Sequence, residues 1–171
     1  IIEIACIKYR GGKEQSRFHS LVQPTADDDG LFVDDFITEL TGITNDMLVS
    51  APKFSTIAES VWSFLAGELI VGHNVNFDIN FLYDNFKTSG FDPLQNNFVD
   101  TLRMARILLP ELQHHRLTDL TDYFHIDNEH HRAVSDCDMT NIVLARLAEI
   151  VKEKSIVNFS YFSVLNCQTE E

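Results

Sequence analysis

No stretch of the chain narrows its possible folds as far as Leu69-Ile70-Val71. A wholly apolar run this short reads as a buried central strand, because consecutive apolar side chains point to opposite faces and both must be covered. The polar Gly72-His73-Asn74 follows at once. From there, Ile79, Leu82, Tyr83 and Phe86 recur at helical spacing and predict a helix over 77–87. Strand, tight turn and helix make the repeating step of an α/β domain. Such domains bind ligands beyond the carboxyl ends of their strands. Asp78 stands there, at the start of the predicted helix.

The remaining elements agree with that class. Residues 1–9 are rich in β-branched side chains, Gly11-Gly12 signals a turn, and 16–22 reads as the second strand of a hairpin. Residues 24–30, with three consecutive aspartates, form a solvated loop. Helices are predicted over 32–40, 45–49, 55–65, 100–109, 117–124 and 133–152, with Thr44 capping the second and Pro110 ending the fourth. Residues 97–99 read as a short strand. Ile142, Leu144, Ala145 and Ala148 are the apolar positions expected to seat the last helix. The pattern predicts an α/β domain with a mixed sheet over 1–152, followed by a tail or linker at 153–171.

Composition limits the function. The net charge is −13, with 13 Lys plus Arg against 26 Asp plus Glu. Proteins that hold duplex DNA through its phosphates usually carry the opposite sign. Carboxylates loaded with divalent cations remove the conflict locally, since the metals then hold a phosphodiester. No run of eighteen apolar residues exists to span a membrane. Three cysteines without a CxxC pair fit a reducing cytoplasm better than a disulfide framework.

Two clusters could carry chemistry. Asp78 is either a metal-site acid or a helix-start acid that only offsets the macrodipole. His131 and Asp136 are five residues apart, about 140° around one continuous helix. A helix starting near Ala133 leaves His131 in the preceding loop, able to fold back over Asp136. A histidine beside a metal-binding carboxylate suits a general base; surface polarity at a helix start is the plainer reading. His114, His115, His125, His130, His131 and Cys137 raise the question of zinc, but their spacings match no finger or knuckle pattern.

Taken in order, several segments resemble the DnaQ-like exonucleases, the proofreading family of the DNA polymerase III epsilon subunit and the PolC exonuclease domain. Residues 1–5 resemble that family's second strand, and Leu40-Thr41-Gly42-Ile43-Thr44 its LTGIT segment. Gly72-His73-Asn74 through Phe77-Asp78 resembles its second motif, and Asp100-Thr101-Leu102 with Ala105-Arg106 its DTL…AR helix. His131-Arg132-Ala133 with Asp136 resembles the third motif in its histidine-bearing variant. The likeness reaches to about Val151. Residues 105–110 are also similar to the exonuclease domain fused to some DinG-type helicases.

The resemblance implies an RNase H-like fold and 3′→5′ hydrolysis of single-stranded DNA to nucleoside 5′-monophosphates. It implies two Mg²⁺ or Mn²⁺ ions, Asp78 and Asp136 as metal-site acids, and His131 as general base. Asn74 and Phe77 are expected at the terminal nucleotide, with core packing the alternative for Phe77. A polymerase or helicase, as partner or fused domain, is expected. RNA ends and a non-catalytic binding module with the same fold are the competing functions. The family's first motif, an Asp-x-Glu on a central strand, has no counterpart here, and Glu3 matches a non-catalytic position. The expectation is that ~10–20 further residues, one strand and a loop, carry that pair.

Overall fold

The computed structural model describes residues 1–127 and 132–154. Strands β1 (Glu3–Arg10) and β2 (Lys13–Leu21) form an antiparallel hairpin. Its turn is made by Gly11 and Gly12, both at positive φ (56° and 75°), the backbone that a tight hairpin needs and that glycine adopts without a Cβ penalty. The hairpin runs farther towards its turn than the sequence suggested, because glycine at both turn positions lets Arg10 and Lys13 still pair.

Helix α1 (Asp35–Thr41) starts three residues later than the apolar pattern predicts, since the Asp34 carboxylate accepts the Ile37 N–H at 2.8 Å and sets the cap there. Gly42 ends it in the left-handed region (φ 70°), turning Ile43 inward against Val33 and Leu48. Thr44 caps α2 (Asn45–Val49), as expected.

Helix α3 (Phe54–Leu65) buries Ala58, Val61 and Leu65 against Leu82 and Phe86 of α4 (Val75–Thr88). Phe54 meets Phe86 edge-to-face with ring centroids 5.3 Å apart. Burying Phe86 alone contributes about 2–3 kcal/mol. Strands β3 (Ile70–Gly72) and β4 (Phe98–Asp100) pair in parallel, with Gly72 opposite Asp100. β3 is only half-buried, less than its apolar run predicts, because among the described residues only β4 pairs with it.

Helices α5 (Thr101–Leu108), α6 (Leu117–Tyr123) and α7 (Ala133–Glu153) enclose a second apolar cluster. On α7 the buried apolar positions are Val143, Leu147 and Val151, while Ala145 is exposed. The sequence suggested a neighbouring face. That ambiguity follows from packing on two sides: α7 lies against β1 as well as α5 and α6, so several faces carry apolar residues. The architecture is therefore α/β, with the four strands in two separate pairs and α7 reaching both β1 and β3. No described helix is long and apolar enough to cross a membrane.

Candidate active site

Strands β3 and β4 end side by side, and the chain turns into a helix after each. Gly72 is required at the first turn. A Cβ there would lie 2.7 Å from Val75 Cγ2, far inside contact distance. Asn74 then takes the left-handed conformation (φ 61°), one of the few non-glycine residues that tolerates it. Its N–H donates to Asp100 Oδ1 at 2.9 Å, and the same oxygen accepts the Leu102 N–H at 2.9 Å. Asp100 is buried, so one carboxylate caps α5 and ties it to the start of α4.

His73 makes a second tie. Its Nε2 donates to the His115 carbonyl at 2.9 Å, and its Nδ1 lies 3.0 Å from Thr101 Oγ1. Burial pulls its pKa below the ordinary histidine value, with Asp100 opposing and Arg106 reinforcing the shift. Burial thus favours the neutral ring, and Thr101 Oγ1, which also reaches the Gly72 carbonyl at 3.1 Å, joins the ring to the end of β3.

Asp78 lies in the first turn of α4. Its pKa is raised, first by the protein packed around it and then by the negative charges of Asp100 and Asp136. Its side chain still reaches water, so this desolvation is partial. The groups acting on it include no lysine or arginine. Asp136 lies in the first turn of α7. Two helix-start carboxylates from distant parts of the chain thus lie near enough for the charge of one to act on the other. The half-buried thiols of Cys6 and Cys137 are near them; burial and the nearby aspartates push both thiols to about 12, leaving them uncharged. Carboxylate oxygens suit hard cations such as Mg²⁺ or Mn²⁺. Among the described residues no group of three or more His, Cys, Asp or Glu side chains could hold a metal ion.

Phe77 is 61% exposed and Phe81 43%, stacked edge-to-face at 4.8 Å, so Phe77 is not a core residue. Asn74 is also exposed, one turn before Asp78. His131 lies outside the described residues, as does the tail beyond Lys154.

Glu3 has a different role. Its carboxylate accepts from Arg132 Nη2 at 2.6 Å, from the Ala133 N–H at 2.9 Å, and contacts His19 Nε2 at 2.7 Å. Burial pushes its pKa up, but these partners outweigh burial and hold it below the usual range. Glu3 thereby caps α7 from another element and fixes the helix start that carries Asp136. Residue type alone signalled neither the Glu3–Arg132 tie nor the Asp100 clasp. The second had one local sign, an aspartate directly before a helix.

Residues 1–144 match a family model, RNase_T, described as an exonuclease. The PolC-type DNA polymerase III of Oceanobacillus iheyensis is 36% identical over 159 residues, covering 92% of this chain and 11% of that protein. This chain thus spans about a tenth of the length of the curated relatives it matches. Among solved structures, Exonuclease X in complex with 5′ overhanging duplex DNA aligns with a TM-score of 0.63 at 23% identity, covering 91% of this chain and 84% of that one. The nuclease domain of 3′hExo, a DEDDh family member bound to rAMP, aligns with a TM-score of 0.66 at 15% identity, covering 99% and 86%. The fold is that of the RNase H-like exonucleases.

Proposed function

This chain belongs to the RNase_T exonuclease family, and from that premise we propose that it removes nucleotides one at a time from the 3′ end of single-stranded DNA. The convergence of Asp78 and Asp136 carries the reading. The charge of Asp136 raises the cost of ionising Asp78. A divalent cation between them would reverse that cost.

Asp78 and Asp136 would hold Mg²⁺ or Mn²⁺, in a two-ion site whose other ligands are not among the described side chains. Bound there, the ions would supply an activated water and neutralise charge on the leaving oxygen. Asp78 keeps its ligand position because α4 is fixed at its start by Gly72, Asn74 and Asp100. Asp136 keeps its own through the Glu3 clamp on α7. His131, immediately before that clamp, is assigned as the base that takes the proton from water. Asn74 and the exposed ring of Phe77 are assigned to the terminal nucleotide, with the ring stacking on its base. The PolC-type relatives favour DNA over RNA and a polymerase as partner or fused domain, with a helicase in that place as the alternative.

The test is hydrolysis of 3′-labelled single-stranded DNA and RNA by the full-length protein with Mn²⁺ or with EDTA. Release of labelled mononucleotide from DNA, abolished by EDTA and by His131→Ala without loss of folding, is the expected result. Wild-type turnover by His131→Ala would remove the base assignment. No metal-dependent release from either substrate would leave a binding module instead.

A further inference from the structure

An open cleft of about 420 Å³ adjoins the site, reaching from the start of α4 across α5 to the segment before α6. Its chemistry runs against the composition of the chain. The protein carries a net charge of −13, yet among the described residues no carboxylate lines this cleft, while Arg106, Arg116, His73, His114 and His115 do. We infer that this cleft binds the phosphodiester backbone of the substrate strand upstream of the nucleotide being removed. The inference rests on the exonuclease reading above and extends it to a named second subsite.

Three observations carry it. First, the donors are left available. Arg106, in the last turn of α5, has no hydrogen bond or ion pair among the described residues. Arg116 commits Nε and Nη2 to Asp119, at 3.1 Å each, and this leaves Nη1 unused while fixing the guanidinium in place. An arginine with spare, oriented N–H groups is the side chain best suited to a phosphate.

Second, the far wall is tied to the catalytic wall. Both nitrogens of His73 are occupied, so it is a post and not a phosphate ligand. It fastens the His115 carbonyl to the end of β3, and His115 Nε2 in turn donates to the Leu109 carbonyl at 2.9 Å. The segment bearing His114 and Arg116 is thereby held at a fixed distance from the start of α4.

Third, the spacing suits a continuous strand. Asn74 lines the cleft and lies four residues before Asp78, about 6 Å along the helix axis. The Asp100 carboxylate accepts the N–H of Asn74, the residue that lines the cleft at the start of α4, and so ties the cleft to the helix that carries Asp78. A strand whose terminal phosphate sits at Asp78 would meet the cations within one or two nucleotides. The cleft would then supply the attraction that the acidic surface withholds, over a range that salt screens beyond about 10 Å.

The test uses the full-length protein with Mn²⁺ and two kinds of substrate. The p-nitrophenyl ester of thymidine 5′-monophosphate ends at the reacting phosphate; single-stranded oligodeoxynucleotides of two to ten residues extend past it. For the wild type, KM should fall as the strand lengthens into the cleft. For Arg106→Glu, the long-oligonucleotide KM should rise about tenfold or more, with kcat moved far less. The preference for oligonucleotide over ester should drop by the same factor, and Arg106→Lys should recover part of it. Equal losses on both substrates, or none on either, would overturn the cleft. Photocrosslinking of an oligonucleotide bearing 5-iodouridine separates this from the underlying reading. Crosslinks within residues 102–117 without any hydrolysis would sink the exonuclease assignment and keep the cleft; hydrolysis without such crosslinks would do the reverse.

Discussion

Glu3 and Asp78 each place a carboxylate at the start of a helix, and the protein treats them in opposite ways. Glu3 is only 6% exposed and its oxygens are taken up by Arg132, the Ala133 N–H and His19. Its charge is spent on holding the start of α7. Asp78 faces water and the negative charges of Asp100 and Asp136, and its ionised form is disfavoured. A satisfied acid is architecture; an acid kept at a cost is available for a cation that arrives from outside. The same reasoning explains why the two lie so close in function: the first positions Asp136 for the second.

The largest effect that would sharpen this contrast is catalytic. Asp78→Asn should lower metal-dependent hydrolysis by more than about 100-fold, since losing even a residue that orients a metal ligand costs ~10–100-fold. A loss under tenfold, measured in steady state with saturating Mn²⁺, would remove Asp78 from the metal site. Next comes the structural partner. Glu3→Ala leaves Arg132 and the α7 N–H without their acceptor. Breaking a buried pair costs about 3–5 kcal/mol, and Arg132 is 38% exposed, so roughly 2–3 kcal/mol is expected in urea denaturation. Unchanged stability would show that the clamp contributes nothing.

The acid limb of stability should separate the two carboxylates by sign. The lowered pKa of Glu3 means its stabilisation is full above its unfolded value near 4.5 and is lost as pH falls through the folded value. The raised pKa of Asp78 works in reverse: its cost sets in as pH rises through 3.8 and is complete above the folded value. Glu3→Gln should therefore flatten the loss of stability below about pH 4.5, whereas Asp78→Asn should not. The smallest effect follows from the same sign. In EDTA at pH 7, Asp78→Asn should raise the melting temperature by about 1–3 °C, and saturating Mn²⁺ should stabilise only the wild type. A fall in melting temperature would mean that Asp78 has a stabilising partner.

The elements of the fold were readable where periodicity and caps agreed. The hairpin, α2 with its Thr44 cap, and the β3–α4 step all follow from local pattern. The reading slipped where two faces compete. Apolar residues surround α7, so periodicity could not choose Val143, Leu147 and Val151 over Ile142, Leu144 and Ala145. The apolar run at β3 suggested full burial, but burial depends on neighbouring strands, which no local pattern contains.

The sequence by itself determined the strand–turn–helix step, the glycine that makes it possible, and the presence of Asp78 and Asp136 at two helix starts. Those features depend on backbone dihedrals and on residues a few positions apart, so local chemistry suffices. Only the tertiary structure decided which acids are spent and which are open. Glu3 meets Arg132 across 129 residues and Asn74 meets Asp100 across 26. The exposure of Phe77, and the pair of arginines in a cleft on an acidic protein, belong to the same class. Charge, burial and hydrogen-bond satisfaction are set by what lies opposite in space, and spacing along the chain carries no record of that.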